Sequence, residues 1–120
     1  MTETKTYEGS CHCGNVKFNV TSDLASVMEC NCSHCSRKGF LLTFVPPTAF
    51  ELTAGNEAEL TEYTFNRHNI KHKVCPTCGV QSFARGTMPD GSPMVAINVR
   101  CLPAVDKGQL SIKQVDGAKF

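Results

Sequence analysis

Cys11-His12-Cys13-Gly14-Asn15-Val16-Lys17-Phe18-Asn19-Val20 carries, within ten residues, both features that recur along the chain. From Asn15 to Val20 apolar and polar residues alternate, the period of a half-buried strand, which puts Val16, Phe18 and Val20 toward a core and the residues between them toward water. Immediately before the strand, a Cys-x-Cys step places two thiols on one tight turn, with Gly14 easing it. Outward from here the thiol pattern repeats in Cys30-Asn31-Cys32-Ser33-His34-Cys35 and in Cys75-Pro76-Thr77-Cys78-Gly79, so that seven of the eight cysteines fall in three knuckles. Zn–S bonds of about 2.3 Å need sulfurs a few ångströms apart on a sharply turned backbone, and these spacings supply that.

The remaining secondary-structure signals are short and β-like. Strands are expected at Val27–Glu29, Leu41–Val45, Phe50–Leu52, Leu60–Phe65, Ile70–Val74, Val80–Ala84, Met94–Val99 and Leu110–Gln114. Pro46-Pro47, Ala54-Gly55-Asn56 and Pro89-Asp90-Gly91-Ser92-Pro93 separate them as turns. No long helical stripe appears, and helical turns are expected only near Ser33–Lys38 and Pro103–Lys107. The expectation is a mainly β fold, antiparallel sheets pinned by metal knuckles. Its 120 residues, with neither a linker nor a repeat beyond the knuckles, make one domain over 1–120.

Composition removes several function classes. Twelve Lys and Arg against eleven Asp and Glu, with a net charge of +1 and no basic run, predict no nucleic-acid partner and no anionic membrane surface. No stretch approaches the roughly 20 apolar residues of a membrane span, and Met1–Glu8 lacks the apolar region of an export signal. The expected location is the cytoplasm, where thiols stay reduced, so the cysteines are read as metal ligands rather than as four disulfides.

Pairing the knuckles divides seven thiols into four and three. Pro76 presets the backbone of its turn, and Gly79 allows the positive φ that aims N–H groups at sulfur. Cys75 and Cys78 with Cys11 and Cys13 would close a four-cysteine structural zinc that ties together segments about sixty residues apart. Cys30, Cys32 and Cys35 would hold a second zinc from one loop, one ligand short of a closed tetrahedron. Three thiolates on Zn²⁺ leave a net charge of about −1 and a weak Lewis acid, poorly suited to activating water but well suited to a sulfur ligand. The alternative is a closed site, with Cys101, His72, His68 or His34 as the fourth ligand.

The run Gly9-Ser10-Cys11-His12-Cys13-Gly14-Asn15-Val16-Lys17-Phe18, the Cys-x-Cys-x-x-Cys of residues 30 to 35 followed by Arg37-Lys38-Gly39, and Cys75-Pro76-Thr77-Cys78-Gly79 together resemble the glutathione-dependent formaldehyde-activating enzyme family, which includes centromere protein V. The similarity spans Tyr7 to Val99. It implies an Mss4-like fold, a structural zinc on Cys11, Cys13, Cys75 and Cys78, and a catalytic zinc on Cys30, Cys32 and Cys35. Two departures separate this chain from the pattern: Asn31 stands where many members have His, and the name-giving enzymes are longer.

The chemistry that follows is a carbon–sulfur lyase acting reversibly on a glutathione or small-thiol aldehyde adduct of the S-hydroxymethylglutathione type. Such a reaction needs a base for the adduct's hydroxyl proton; His72, in phase with Ile70 and Val74, and His34, inside the knuckle, are the candidates, and the sequence does not choose between them. Arg37 and Lys38, beside the three-cysteine loop, are candidate contacts for the carboxylates of glutathione, with Arg67, Asn69, Arg85 and Arg100 as weaker ones. Phe40 and Phe44 are candidate walls or core residues, and Cys101 reads as a small buried apolar residue. The competing function is a noncatalytic scaffold with two structural zincs that binds a protein partner, since fold alone does not fix function.

Overall fold

The structure is a computed structural model that describes residues 4–64, 70–88, 90–106, 108 and 110–116. Among these residues, ten strands form two sheets. β1 (Lys5–Ser10), β2 (Lys17–Ser22) and β5 (Phe50–Ala54) make a three-stranded antiparallel sheet in the order β1-β2-β5. β3 (Val27–Cys30), β4 (Leu42–Val45), β6 (Thr61–Tyr63), β7 (Lys71–Val74), β8 (Gln81–Thr87), β9 (Pro93–Asn98) and β10 (Ile112–Val115) make a seven-stranded sheet in the order β10-β3-β4-β9-β8-β7-β6. The second sheet is mixed: β10 runs parallel to β3, and the other pairs are antiparallel. The only α-helix among the described residues is α1 (Ser33–Lys38), between β3 and β4.

The core lies where the sheets face each other. Phe18 on β2 meets Phe50 on β5 at 5.6 Å between ring centroids, and Phe50 meets Phe83 on β8 at 4.7 Å, both tilted as aromatic quadrupoles favour. Val16, Phe18 and Val20 are buried as their alternation predicts, and each fully buried apolar side chain of this size contributes about 1.5–3 kcal/mol. The middle of the large sheet is covered on both faces: Gln81, Ser82, Phe83 and Ala84 are all buried, as are Met94 to Asn98.

β1 was not expected from the sequence. Lys5-Thr6-Tyr7-Glu8-Gly9-Ser10 turns only Tyr7 and Gly9 inward, so the alternation is carried by one aromatic residue and a residue without a side chain. Gly9 pairs with Phe18, whose ring occupies the space that a Cβ at Gly9 would need. Where a helical turn is expected at Pro103–Lys107 the described residues form one hydrogen-bonded turn, Val105 N–H to Leu102 O at 3.1 Å, and a 3₁₀ turn lies just upstream at Val99–Cys101. There the Asn98 side chain accepts a hydrogen bond from the Arg100 N–H and starts the turn. Lys107 lies outside the described residues, as does Phe65 at the end of the expected Leu60–Phe65 strand.

Candidate metal centres and adjoining cavity

Two turns some sixty residues apart in the chain build the first centre. Cys11 and Cys13 lie between β1 and β2, and Cys75 and Cys78 between β7 and β8. Each turn is closed the same way: the Cys11 N–H donates to Val16 O at 3.0 Å, and the Cys75 N–H to Val80 O at 3.0 Å. The Val16 N–H in turn donates to Cys11 Sγ at 3.3 Å, and the Asn15 amide bridges the two turns to Thr77 Oγ1 at 3.3 Å. The four sulfurs lie within 4.8 Å of one another, with Cys13 Sγ 3.6 Å from both Cys11 Sγ and Cys75 Sγ. A ZnS₄ tetrahedron with bonds of about 2.3 Å has edges of about 3.8 Å, so the spacing fits zinc.

The electrostatics point the same way. N–H groups of Cys13 and Val80 pull the Cys78 thiol down to about 6, and N–H groups of Cys78 and Thr77 lower Cys75. Cys13 is also favoured as thiolate by the Asn15 N–H, yet desolvation and the crowding of Cys11, Cys75 and Cys78 push it up to about 11. Four thiolates this close repel one another unless a cation sits among them.

The second centre is built on a helix start. Cys30 ends β3, Cys32 is the N-cap of α1, and Cys35 lies in its first turn. The Cys35 N–H donates to Cys32 Sγ at 3.3 Å, and the Cys32 N–H to Cys30 Sγ at 3.5 Å, so sulfur replaces the usual capping oxygen. Desolvation raises the Cys32 thiol, but the N–H groups of Cys35 and His34 aimed at its sulfur, with the neighbouring Cys35 and Cys30 thiols, outweigh it and its pKa falls. Burial and the neighbouring Cys32 and Cys30 push Cys35 up. The three sulfurs also lie within 4.8 Å of one another and could hold a metal; among the described residues no fourth His, Cys, Asp or Glu joins them. Gly39, left-handed at φ 71°, ends the helix with its N–H on Cys35 O, and Arg100 Nε donates to Gly39 O at 2.6 Å, fixing that end.

The four residues named above as closing ligands divide as follows. Cys101 is buried with its Sγ 3.9 Å from Gln81 O, and His72 has its Nδ1 2.9 Å from Gln81 Nε2. His34 points its ring at His72, with centroids 4.1 Å apart. His68 lies outside the described residues, together with Arg67 and Asn69.

A cavity of about 600 Å³ opens beside α1, lined by Ser33, His34, Arg37, Lys38, Tyr63 and Val74. It therefore brings His34, Arg37 and Lys38 together on the helix that carries Cys35. An aromatic layer lies against it: His34 stacks on Tyr63 at 5.6 Å and 18°, and meets Phe40 at 5.7 Å. His72 is buried behind His34 and Tyr63. Burial first, then the charges of His34 and Lys38, push His72 down to about 4; burial and Lys38 also lower His34. Both rings are therefore held toward the neutral form.

Other candidates are placed elsewhere. Arg85 forms a two-pronged pair with Glu57, its Nε 2.5 Å from Oε2, and lies over the Phe50 and Phe83 rings. Arg100 is spent on Gly39 O, and Phe44 packs with Ala84, Met94 and Ala96. Tyr63 and Gln81 were not singled out from sequence. Tyr63 reaches the cavity because β6 pairs with β7, Tyr63 opposite His72, a register that the sequence carries only as a weak hairpin signal.

No helix of the described residues is long and apolar enough to cross a membrane. The family model described as glutathione-dependent formaldehyde-activating enzyme matches residues 6–113. Among solved structures, the crystal structure of a Rhodobacter sphaeroides protein matches with a TM-score of 0.74 and 27% sequence identity, covering 88% of this chain and 99% of that one. The mainly β architecture is common to both.

Proposed function

The chain belongs to the glutathione-dependent formaldehyde-activating enzyme family, and from that membership and the three-thiol centre we propose that it is a zinc-dependent carbon–sulfur lyase acting reversibly on thiol–aldehyde adducts of the S-hydroxymethylglutathione type. The observation that carries this reading is the second centre: three sulfurs without a described fourth ligand, on the helix whose other residues line a cationic cavity. Cys11, Cys13, Cys75 and Cys78 would hold a structural zinc, and Cys30, Cys32 and Cys35 a second one. Zinc held by those three thiolates would supply a soft Lewis acid suited to a sulfur ligand.

The side chains supply the rest. Arg37 and Lys38 bind carboxylates of the thiol carrier, Arg37 as a planar fork and Lys38 as a point charge. In cleavage the C–S electron pair leaves with sulfur, the O–H pair becomes the second bond of the aldehyde carbonyl, and the hydroxyl proton goes to a neutral imidazole. His34 lines the cavity and His72 supports it from behind, so the His34 ring takes that proton while His72 holds its orientation. Rings 4.1 Å apart disfavour two positive charges, so the pair carries one proton at a time. Tyr63 covers the His34 face and narrows the access of water.

Formaldehyde release from S-hydroxymethylglutathione by zinc-loaded protein tests the reading. Acceleration over the spontaneous rate that disappears in Cys32→Ser supports it. No acceleration with this or other small-thiol adducts favours a binding scaffold instead.

A further inference from the structure

The loop that carries Cys30, Cys32 and Cys35 is held from one side by the last strand of the chain. β3, which delivers Cys30, pairs with β4 at Met28↔Leu42, whereas β10 runs beside the full length of β3, from Ile112↔Val27 to Val115↔Cys30. The pairing continues past the end of β3 into the metal loop itself. Between the two thiol residues Cys30 and Cys32, the Asn31 N–H donates to Val115 O at 3.1 Å, and the Asn31 side-chain Nδ2 donates to Asp116 Oδ1 at 3.0 Å. Gln114 Nε2 adds a bond to Glu29 Oε1 at 2.8 Å, two residues upstream of Asn31. The far end of α1 is fixed separately, by Arg100 on Gly39 O.

Asn31 offers no metal-binding thiol, yet its backbone lies between two residues that do, and both its main chain and its side chain are tied to β10. Rotating the backbone at Asn31 changes the separation of Cys30 Sγ and Cys32 Sγ, so whatever fixes Asn31 fixes the first half of the three-thiol set. We propose that Asn31 is a positioning residue, and that with Val115 and Asp116 it forms a clamp by which the C-terminal strand sets the geometry and metal affinity of the three-cysteine centre. The clamp does not touch the four-cysteine centre, whose turns lie between β1 and β2 and between β7 and β8. This inference rests on the metal reading of the three-cysteine group and not on the lyase step.

The internal control is the molecule's own second site. Zinc affinities of both centres are measured by chelator competition on full-length protein, for wild type, Asn31→Ala, Asp116→Ala and Asp116→Asn, with the melting temperature of each. Hydrogen-bonded partners of metal ligands are worth about 10- to 100-fold in metal affinity. The clamp predicts a loss of that size at the three-cysteine centre, identified as the one whose zinc Cys32→Ser removes, in Asn31→Ala and Asp116→Ala, with unchanged affinity at the other. Asp116→Asn, which keeps the acceptor oxygen, stays near wild type. Asp116 is exposed, so Asp116→Ala folds even where Asn31→Ala does not, and it then decides the matter alone. Unchanged affinity at both centres, or equal weakening of both, overturns the clamp. A wild-type protein that binds a single zinc removes the metal reading and the clamp with it; a clamp confirmed in a protein without formaldehyde release removes the lyase reading alone.

Discussion

His72 shows how a neighbour's side chain decides what an imidazole can do. Gln81 Nε2 sits 2.9 Å from Nδ1, and an amide N–H only donates, so Nδ1 accepts and the ring proton sits on Nε2. Burial holds this ring neutral down to about pH 4, against an ordinary value of 6.5. A histidine with a depressed folded pKa gives stability that is fully present above 6.5 and lost as pH falls toward 4, because the unfolded chain takes up the proton first. Urea unfolding across that window is expected to show stability falling by up to about 1.4 kcal/mol per pH unit from this group, a component that disappears in His72→Gln. At the cavity, Arg37→Ala is expected to raise KM for a glutathione adduct by about tenfold with kcat little changed, the cost of one charge-assisted contact; an unchanged KM places the carboxylates elsewhere. His34, Arg37 and Lys38 were legible in the sequence because they adjoin the thiols along the chain. Tyr63 and Gln81 were not, because strand pairing brings them to the site and residue order alone does not display it.

At the scale of elements, alternation of apolar side chains was legible wherever side chains carried it. β2 and β4 lie close to their expected positions for that reason, whereas β8 and β9, buried along most of their length, were legible as short runs bounded by turn residues. β1 was missed because one of its two inward positions is Gly9, whose contribution is the room it leaves for the Phe18 ring. That makes Gly9→Ala a sharp test of the sheet. The added methyl falls in the ring's space, and overpacking of this kind costs about 1–3 kcal/mol, measured by denaturant unfolding with an unchanged m-value. A neutral substitution would mean that Phe18 has another place to go. The parallel pairing of β10 with β3 was also invisible: β10 is mostly exposed, so its apolar pattern carries no strong demand, and its partner lies some eighty residues away in the chain.

For the whole molecule, the proposed function gives the two centres different duties. The four-cysteine centre joins the turn between β1 and β2 to the turn between β7 and β8, and so ties the small sheet to the large one. Structural zinc contributes folding free energy directly, and losing even about 3 kcal/mol moves the melting temperature of a domain this size by about 10–15 °C. Cys75→Ser is therefore expected to melt at least that much lower, whereas Cys32→Ser is expected to lose one zinc of two and keep a nearly normal melting temperature. Equal melting temperatures for the two variants would contradict this division of labour. The grouping of the thiols was the most legible feature of all, since knuckle spacing is local; whether a fourth ligand joins the three depends on what the fold brings near, and Cys101 and His72 are seen against Gln81 while His34 packs its ring on His72. The most direct test of the open centre is zinc K-edge X-ray absorption on protein with two zincs, with and without glutathione. The account predicts seven sulfurs shared by the two ions in the free protein, matching four and three cysteines, and an eighth when glutathione is added. A sulfur count that glutathione leaves unchanged would contradict it.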